Sequence, residues 1–229
     1  MNILGVIPAR GGSKEIKNKN LLKLGNKTLI ELAIKSSNNS KLISKLVFSS
    51  DSKKLIKEAK KFKIEIPFIR PKNLATDTAS SFSVLKHVIN FYEKKYKWIT
   101  DIVVLLQPTT PFRTGEMIDR TIKVLVKNNN ADAAMTIRKP DYPPHWMINR
   151  KGKKLYSLIK NGNKFLSRQK TPVVFQPAGS VYAIRRKFLF SIKSLLPIGN
   201  TYGVEVTRKE SINIDSHIDY LVARTLSKK

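Results

Sequence analysis

Short apolar runs alternate with amphipathic segments along most of the chain. The apolar runs are short enough for buried strands and lie at residues 3–7, 46–48, 64–69, 102–106, 131–137, 201–206 and 211–214. Between them, apolar residues recur at helical spacing, which predicts helices over residues 28–38, 51–62, 79–95, 116–126 and 216–226. Asp51 is the predicted cap of the second helix. The predicted inward face of the last helix consists of Ile218, Leu221, Val222 and Leu226.

The predicted strands are apolar on both faces, which is typical of a parallel sheet covered by helices on both sides. We therefore expect an α/β fold, a three-layer α/β/α arrangement around a mainly parallel, Rossmann-like sheet, in a single domain of 229 residues. Ligands of such sheets bind beyond the carboxyl ends of the strands. This rule places four polar segments on one edge of the sheet, at residues 8–20, 49–51, 70–81 and 107–114.

The loop after the first strand combines two adjacent glycines with a cluster of cations. Gly11 and Gly12 allow backbone N–H groups to face an anion, and the guanidinium of Arg10 can fork onto phosphate oxygens. The cluster is completed by Ser13, Lys14, Lys17 and Lys19. We interpret the loop as a triphosphate-binding cradle, and a solvated basic loop is the alternative. The patterns G-x-x-x-x-G-K-[ST] and G-x-G-x-x-G do not occur, which disfavours a P-loop ATPase and a dinucleotide-binding fold.

The net charge of +28 points to a polyanionic partner such as nucleic acid. The lysines are scattered over the whole chain, however, and Arg, the better reader of bases, is the minority cation. We interpret most of the charge as a solvated surface. A basic nucleic-acid-binding protein is kept as the alternative from a different functional class.

The compartment is indicated by what the sequence lacks. There is no cysteine, which excludes a disulfide scaffold and thiolate metal sites and fits a reducing compartment. Charge arrives at Arg10 before any long apolar region, and no apolar run reaches the length of a membrane span. The expectation is a cytoplasmic protein without a membrane partner.

Three motifs on the predicted ligand edge resemble the signature of the acylneuraminate cytidylyltransferases. The first is R-x-x-S-K followed by K-N, matched here by Arg10, Ser13, Lys14, Lys19 and Asn20. The second is R-P-x-x-L-A-x-D-T-A-S-S, matched by residues 70–81, where Asp77 or Thr78 is also a good helix N-cap. The third is L-L-Q-P-T-[ST]-P-x-R-T, matched by residues 105–114. Three motifs in order and with compatible spacing are more specific than any one alone.

The resemblance implies a nucleotidyltransferase that transfers CMP from CTP to the anomeric hydroxyl of a 2-keto-3-deoxy nonulosonic acid, with Mg²⁺ as cofactor. It implies catalytic roles for Arg10, Lys14, Lys19 and Asp215. It implies nucleotide binding by Arg10, Gly11, Gly12, Ser13, Lys14, Asn20, Arg70 and Ser81. The implied substrate-binding residues are Gln107, Thr109, His145, Arg168 and Tyr182, and the implied metal ligands are Asp215 and Asn213.

The chain departs from the family pattern at three positions. Asn213 stands where the family's I-D-I-D-T-x-x-D run has its first Asp, so metal binding is expected to be weaker or to depend on Asp215 and phosphate oxygens. Gln176 replaces an Arg of the sialate-using members, and His145 lies near where they supply a Lys. The sugar therefore stays open among sialic, legionaminic, pseudaminic and related acids.

Residues 139–177 differ in character from the rest of the chain, with five prolines and short strand-like pieces. We predict an insertion that folds out of the main sheet, and the resemblance implies a dimerisation arm and a homodimer. Two residue-level alternatives stay open: a helix cap for Asp215 and a packing role for Tyr182. The alternative enzyme is a sugar-1-phosphate nucleotidyltransferase that uses UTP or GTP.

Overall fold

The computed structural model describes residues 1–12, 15–165, 167–192 and 199–228, and the following strands and helices belong to this part of the chain. The strands are β1 (Ile3–Pro8), β2 (Lys23–Leu24), β3 (Lys27–Thr28), β4 (Lys45–Ser49), β5 (Ile102–Leu105), β6 (Ala133–Arg138), β7 (Ile148–Lys151), β8 (Lys154–Ser157), β9 (Gln176–Arg185) and β10 (Thr201–Glu205). The helices are α1 (Leu29–Asn38), α2 (Lys53–Ala59), α3 (Ser81–Tyr96), α4 (Gly115–Lys127), α5 (Arg186–Ser191) and α6 (His217–Leu226).

Six of the described strands form one sheet in the order β10-β6-β9-β5-β1-β4. β9 runs antiparallel to both of its neighbours, and the other pairings within this sheet are parallel. The prediction of a mainly parallel sheet is confirmed. Its parallel strands end at the same edge, where the loops that follow β1, β4 and β5 meet.

Helices cover both faces of the sheet. Side chains of a strand alternate between its faces, so Ile3 and Ile7 of β1 pack in one apolar cluster with α1, α2 and α4. Leu4 and Val6 pack in a second cluster with α3 and α5 on the opposite face. Each of these side chains is buried, and full burial of one aliphatic side chain stabilises the fold by about 1.5–3 kcal/mol relative to its exposure. The predicted three-layer arrangement is confirmed.

The antiparallel strand β9 is absent from the sequence prediction. Its second to fifth residues, Pro177 to Ser180, are poor strand formers, and proline is tolerated only at strand beginnings and edges. The structure nevertheless pairs Tyr182 of β9 with Leu105 of β5 and with Met135 of β6. β9 therefore begins at the edge where β5 and β6 end.

Two predicted strands are wrong. Residues 64–69 make only one isolated bridge, between Glu65 and Val47, because Pro67 has no N–H to donate to a ladder. Residues 211–214 form no strand either. Ile212 and Ile214 pack instead in a third apolar cluster with Leu24, Leu29 and other residues outside the sheet.

Several helix ends also differ from the prediction. Ser52, not Asp51, caps α2, and its side chain accepts a hydrogen bond from the backbone N–H of Leu55. Ser80 caps α3 in the same way, so neither Asp77 nor Thr78 is the cap. Ser216 caps α6 and forms a reciprocal capping box with Asp219, which excludes the helix-cap alternative for Asp215.

The predicted inward face of α6 is largely wrong. Ile218 is 72% exposed, and Leu221 and Val222 are also exposed. α6 lies at the periphery of the molecule, and it is Ala223 that is buried in the third apolar cluster, with Tyr220 packed against it. The small contact area explains why most of the apolar side chains remain outside.

The segment 139–177 includes an antiparallel hairpin of β7 and β8 that does not belong to the six-stranded sheet. All residues of these two strands are exposed. The dimerisation role of the segment stays a prediction. As for membranes, none of the helices α1 to α6 is long and apolar enough to span one.

Candidate active site

A cleft of about 640 Å³ lies at the carboxyl ends of β1 and β5, and we call it the first cleft. Residues of three of the predicted edge segments line it, together with Val84, Asn213 and Asp215. These segment residues are Pro8, Arg10, Glu15, Lys19, Asn20, Arg70, Leu74, Thr76, Asp77, Ala79, Ser81, Gln107, Pro108 and Thr109. The fourth segment, residues 49–51, lies beneath the cleft and is hydrogen-bonded to two of the lining segments. The sheet edge chosen from the sequence is thus the edge that carries the cleft.

Gly11 in the first loop lies too close to Ser52 to be replaced by a larger residue. A Cβ atom on Gly11 would lie 2.9 Å from Cβ of Ser52. The backbone N–H of Gly11 donates to Oδ1 of Asp51 at 3.0 Å. Gly12 has no such neighbour among the described residues, since a Cβ there would meet none of their atoms within 4 Å. Asp51, which was predicted to cap α2, therefore serves to fasten this loop to the end of β4.

Arg10 and Lys19 both reach carboxylates across the first cleft. Arg10 Nη1 lies 2.8 Å from Oδ1 of Asp77 and donates to the carbonyl of Thr76 at 3.1 Å. Lys19 Nζ donates to Oδ1 of Asp215 at 2.9 Å. Two of the predicted phosphate-binding cations are thus brought to one cavity.

Asn20 is buried beneath these cations, and its Nδ2 donates to the carbonyl of Arg10 at 3.3 Å. This bond joins the two halves of the first loop. Ser13 and Lys14, to which the resemblance gives phosphate-binding roles, lie outside the described residues.

Arg70 is buried in the floor of the first cleft. Its Nε donates to Oγ of Ser49 at 3.0 Å, and its Nη2 donates to the carbonyl of the same residue. Burial lowers the pKa of Arg70 to about 10, and nearby Asp51 opposes that shift while Arg10 adds to it. The side chain therefore ties its own loop to the carboxyl end of β4 and contributes positive potential beneath the cavity.

Ser81 is the first residue of α3, a helix of 16 residues. Ala79, Ser81 and Val84 line the cleft, so the amino-terminal end of α3 faces the cavity. Free N–H groups and the positive end of the helix dipole favour an anion or a polar base at such a position.

A buried arginine holds the turn that carries Gln107 and Thr109. Arg113 Nη1 donates to the carbonyl of Gln107 at 2.9 Å, to Oγ1 of Thr110 and to the carbonyl of Ser180 on β9. Burial lowers the pKa of Arg113 to about 9. No described residue accepts a hydrogen bond from its Nε or Nη2, so burial of this guanidinium costs free energy. Its three bonds tie the turn to β9.

The turn that carries Gln107 and Thr109 also positions the implied metal ligands. The backbone N–H of Ile214 donates to the carbonyl of Thr109 at 2.8 Å, which places its neighbours Asn213 and Asp215 at the first cleft. Asn213 Nδ2 donates to Oδ2 of Asp215. Asn213 Oδ1 is buried and finds no hydrogen-bond partner among the described residues, while the side chain of Asp215 is 65% exposed. Both residues thus bring an oxygen atom to the first cleft, and Lys19 contacts the carboxylate of Asp215.

A second cleft, of about 530 Å³, adjoins the first. Gln107 and Asn213 line both cavities. Tyr182 lines the second, and its burial raises the pKa of its hydroxyl. The remaining lining residues are Arg138, Asp141, Gln176, Pro177, Ala178, Gly179, Arg208, Ser211, Ile212, Asp219 and Val222.

Not every implied substrate-binding residue reaches these clefts. The ring of His145 packs against Phe165, with ring centroids 4.7 Å apart, and lines neither cavity. Trp146 Nε1 donates to the carbonyl of Phe165 at 2.6 Å. Arg168 begins a short 3₁₀ helix, and its side chain lies outside the described part of the structure.

Sequence reasoning missed three charged residues of the second cleft, Arg138, Asp141 and Arg208. Arg138 had a usable signal, because it directly follows the predicted strand 131–137 at its carboxyl end. The other two are indistinguishable in the sequence from the surrounding surface charges. Asp77, considered only as a motif member and helix cap, is the ion-pair partner of Arg10.

Comparison with known proteins identifies the family. The sequence model of the cytidylyltransferase family matches residues 4–221. Post-translational flagellin modification protein B of Campylobacter coli is 31% identical over 229 residues, which cover 99% of this chain and 95% of that protein. N-acylneuraminate cytidylyltransferase of Escherichia coli is 26% identical over 229 residues, covering 99% of this chain and 52% of that one.

A relative that matches a shorter part of the chain and a solved structure are also similar to this protein. Pseudaminic acid cytidylyltransferase of Campylobacter jejuni is 35% identical over 130 residues, which cover 57% of this chain and 56% of that protein. A solved CMP:2-keto-3-deoxy-manno-octonic acid synthetase in complex with CTP has a TM-score of 0.71. It is 17% identical, and the match covers 100% of this chain and 99% of that one, so it shows a shared fold.

The family match spans nearly the whole chain, and it confirms the resemblance seen in the three edge motifs. Described residues from each of the three motifs lie together at the edge of the sheet and line the first cleft. The chain is a member of the cytidylyltransferase family and hence a nucleotidyltransferase enzyme.

Proposed function

We propose that the protein transfers CMP from CTP to the anomeric hydroxyl of a nonulosonic acid and releases pyrophosphate. One observation carries the proposal: the first and second clefts meet at Gln107 and Asn213, which line both. A transfer between two substrates requires adjoining cavities whose contents meet at a point. The nucleotide is assigned to the first cleft and the sugar acid to the second.

The charges of the first cleft support its assignment to the nucleotide. Arg10 and Lys19 line the cavity, Arg70 lies in its floor, and the positive end of α3 faces it. This combination suits a polyphosphate. Ser13 and Lys14 join the set through the family motif. By the same resemblance, Asn20 and Ser81 contribute to the recognition of cytosine.

Mg²⁺ is the proposed cofactor, and the donors at Asn213 and Asp215 fit it. Mg²⁺ prefers oxygen ligands and commonly takes one or two protein carboxylates together with phosphate oxygens and waters. Asp215 supplies a largely exposed carboxylate, and Oδ1 of Asn213 is a buried oxygen with no hydrogen-bond partner in the described part of the chain. When bound, the ion would neutralise charge on the phosphate oxygens.

Positioning and charge neutralisation are the proposed contributions of the chain's own residues. In the transfer, a bond forms between the anomeric oxygen and the α-phosphorus while the bond from the α-phosphorus to the pyrophosphate oxygen breaks. The hydroxyl proton is lost to water. Arg10 and Lys19 stabilise the charge that builds on the departing pyrophosphate, and Gln107 orients the sugar acid at the junction of the clefts.

Pseudaminic acid is the proposed acceptor within this substrate class. The support is the 35% identity to pseudaminic acid cytidylyltransferase over 130 residues, together with the full-length similarity to a flagellin modification protein. Gln176 in the second cleft, where sialate-using members have Arg, also favours an acceptor other than sialic acid.

A homodimer is the proposed assembly. The segment 139–177 exposes a series of large apolar side chains that a single chain leaves in water: Tyr142, Trp146, Met147, Ile148, Leu155, Tyr156, Leu158, Val173 and Phe175. An extensive exposed apolar surface of this kind is typical of an interface. Sedimentation equilibrium of the full chain measures the assembly directly.

The function is tested by pyrophosphate release with CTP, Mg²⁺ and each of three acids: pseudaminic, legionaminic and N-acetylneuraminic acid. We expect release with CTP and the highest kcat/KM with pseudaminic acid. Replacing CTP by UTP or GTP, or the acids by sugar 1-phosphates, is expected to abolish release. Turnover of a sugar 1-phosphate with UTP or GTP, and none with CTP and the acids, would overturn the proposal in favour of the other enzyme class.

A further inference from the structure

Two arginines of the second cleft lie on either side of one carboxylate. Arg138 Nη2 is 3.2 Å from Oδ2 of Asp141, and Arg208 Nε is 3.3 Å from Oδ1 of the same side chain. All three residues line the cavity, so the group faces the space assigned to the sugar acid. We call these three residues the Arg138–Asp141–Arg208 group.

Arg138 is fixed in place before any ligand arrives. It is the last residue of β6 and pairs across the sheet with Gln176 of β9. With the Gln176 amide oriented to satisfy both residues, its oxygen accepts from Nε at 3.1 Å and from Nη2 at 2.8 Å. Nη1 donates to the carbonyl of Lys139 at 2.9 Å, and the side chain is only 19% exposed. A guanidinium held in this way binds a carboxylate with little loss of entropy.

Arg208 supplies the adjustable side of the group. Its side chain is 82% exposed, so it can reorient at small cost. The group as a whole carries one net positive charge, from two guanidinium groups and one carboxylate. The other acid that lines the second cleft, Asp219, is engaged in the capping box of α6. A carboxylate that replaces Asp141 between the arginines would keep the same balance of charge.

We propose that Arg138 and Arg208 form the binding subsite for the carboxylate of the acceptor, and that Asp141 occupies this subsite until the acceptor binds. The proposal rests on the proposed function, because it takes the acceptor to be a 2-keto acid. Asp141 presents between the two arginines the same chemical group, with the same charge, as the acceptor would bring.

The chemistry of the acceptor makes this subsite important for the reaction. In the ring form of a 2-keto sugar acid, the carboxylate and the anomeric hydroxyl are attached to the same carbon. Fixing the carboxylate therefore also fixes the attacking oxygen. With the carboxylate at Arg138 and Arg208, the hydroxyl can be directed towards Gln107 and Asn213, where the two clefts meet.

The position of Asp141 also connects the subsite to the inserted segment. Asp141 lies three residues beyond Arg138, at the beginning of residues 139–177. An acceptor that takes the place of Asp141 between the arginines breaks the ion pair that joins the start of this segment to the end of β6.

The test compares the variants Arg208→Gln, Arg138→Gln and Asp141→Asn with the wild-type protein. Arg120→Gln is the matched control, because Arg120 is exposed on α4 and lines neither cleft. We expect the two arginine variants, Arg208→Gln and Arg138→Gln, to raise the KM for the sugar acid about 10-fold or more, with the KM for CTP unchanged. They are also expected to reduce the preference for the acid over its neutral carboxamide analogue. Asp141→Asn removes the internal competitor and is expected to lower the KM for the acid.

Several outcomes overturn the subsite. A KM for the acid within twofold of wild type in Arg208→Gln, or an undiminished preference for the acid over the carboxamide, would do so. So would a KM for the acid that rises in Asp141→Asn. Should Arg138→Gln disturb the β6–β9 pairing and fail to fold, Arg208→Gln carries the test alone, because the side chain of Arg208 is mostly exposed.

Calorimetry separates this proposal from the proposed function. Titration of pseudaminic acid into the protein measures binding without turnover. Absence of pyrophosphate release by the wild type would refute the transfer reaction, while weaker binding of the acid to Arg208→Gln than to Arg120→Gln would still support the subsite. Equal binding to both variants would refute the subsite even in an active enzyme.

Discussion

Lys19 Nζ lies 2.9 Å from Oδ1 of Asp215, although the two residues are 196 positions apart in the chain. The pair joins the loop that is proposed to bind phosphate to the implied metal ligand, and Arg10 and Asp77 form a second such pair at 2.8 Å. Exposed ion pairs of this kind contribute only about 0–1 kcal/mol, so phosphate and metal can replace the partners at small cost. Both pairs keep the cations of the first cleft at the cavity before the nucleotide binds.

Asp215→Asn is expected to raise the Mg²⁺ concentration needed for half-maximal pyrophosphate release by about 10-fold or more, because an amide oxygen replaces a charged ligand. The measurement is a Mg²⁺ titration at saturating CTP. Glu205→Gln, an exposed position on β10, is the control and should leave the titration midpoint unchanged. A wild-type midpoint in Asp215→Asn would remove this residue from the metal site.

Arg10→Met is expected to lower kcat/KM for CTP by about 100-fold, the usual scale for the loss of one charge-stabilising donor. Thermal stability should change little, because Arg10 pairs with Asp77 at the surface of the cleft. Steady-state kinetics and a melting curve measure the two effects separately. Arg120→Met provides the control for charge loss alone, and equal activities of the two variants would exclude Arg10 from phosphate binding.

Gly11→Ala is expected to destabilise the fold by about 1–3 kcal/mol, because the added Cβ would lie 2.9 Å from Cβ of Ser52. Gly12→Ala is the matched control, since a Cβ there meets nothing within 4 Å. Urea denaturation of both variants gives the difference in the free energy of unfolding. Equal stability of the two would show that the loop does not depend on its close approach to residue 52.

Glu93→Gln tests a pH-dependent contribution to stability. Arg186 donates to Glu93 through Nε at 2.5 Å and Nη2 at 2.6 Å, and these bonds hold the pKa of the Glu93 carboxyl below its usual value. The unfolded state therefore binds the proton more readily than the folded state. The stabilisation is present at neutral pH and is lost as the pH falls below about 4.5 and through the lowered pKa.

At pH 7 the wild type is expected to exceed Glu93→Gln by about 1 kcal/mol in unfolding free energy, since Arg186 is partly exposed. Urea denaturation at a series of pH values from 7 to about 3 should show this difference shrinking as the pH falls. A difference that stays constant with pH would mean that the ion pair is not its source.

The layers of the fold and the edge that carries the site could be predicted from the sequence, because both follow from local patterns. Apolar runs such as Ile3–Ile7 have few alternatives to a buried strand, and polar segments after them must meet at one edge. The wrong strands had the same apolar pattern. Pro67 prevents a strand over residues 64–69. In residues 211–214, Ile212 and Ile214 pack in a cluster outside the sheet.

The second cleft could be predicted only in part. Gln107 belongs to a motif with a fixed order, and Tyr182 is implied by the family resemblance. Arg208, in contrast, is one of 44 cations in the chain, and no local sequence feature singles it out. His145 shows the converse. The family resemblance implied a substrate-binding role for His145, but its ring packs against Phe165. Contacts between residues far apart in the chain decide these cases.

The reversed strand β9 has a consequence for how this enzyme can change. Its first residue, Gln176, pairs with the last residue of β6, so the polypeptide enters the sheet at the reactive rim and not at the opposite one. Loops that precede an ordinary parallel strand lie on the far rim. Here, substitutions and length changes before β9 alter the walls of the second cleft, the cavity proposed for the sugar acid, while the helices packed on the sheet stay as they are. The shape of that cavity can therefore change without rebuilding the scaffold.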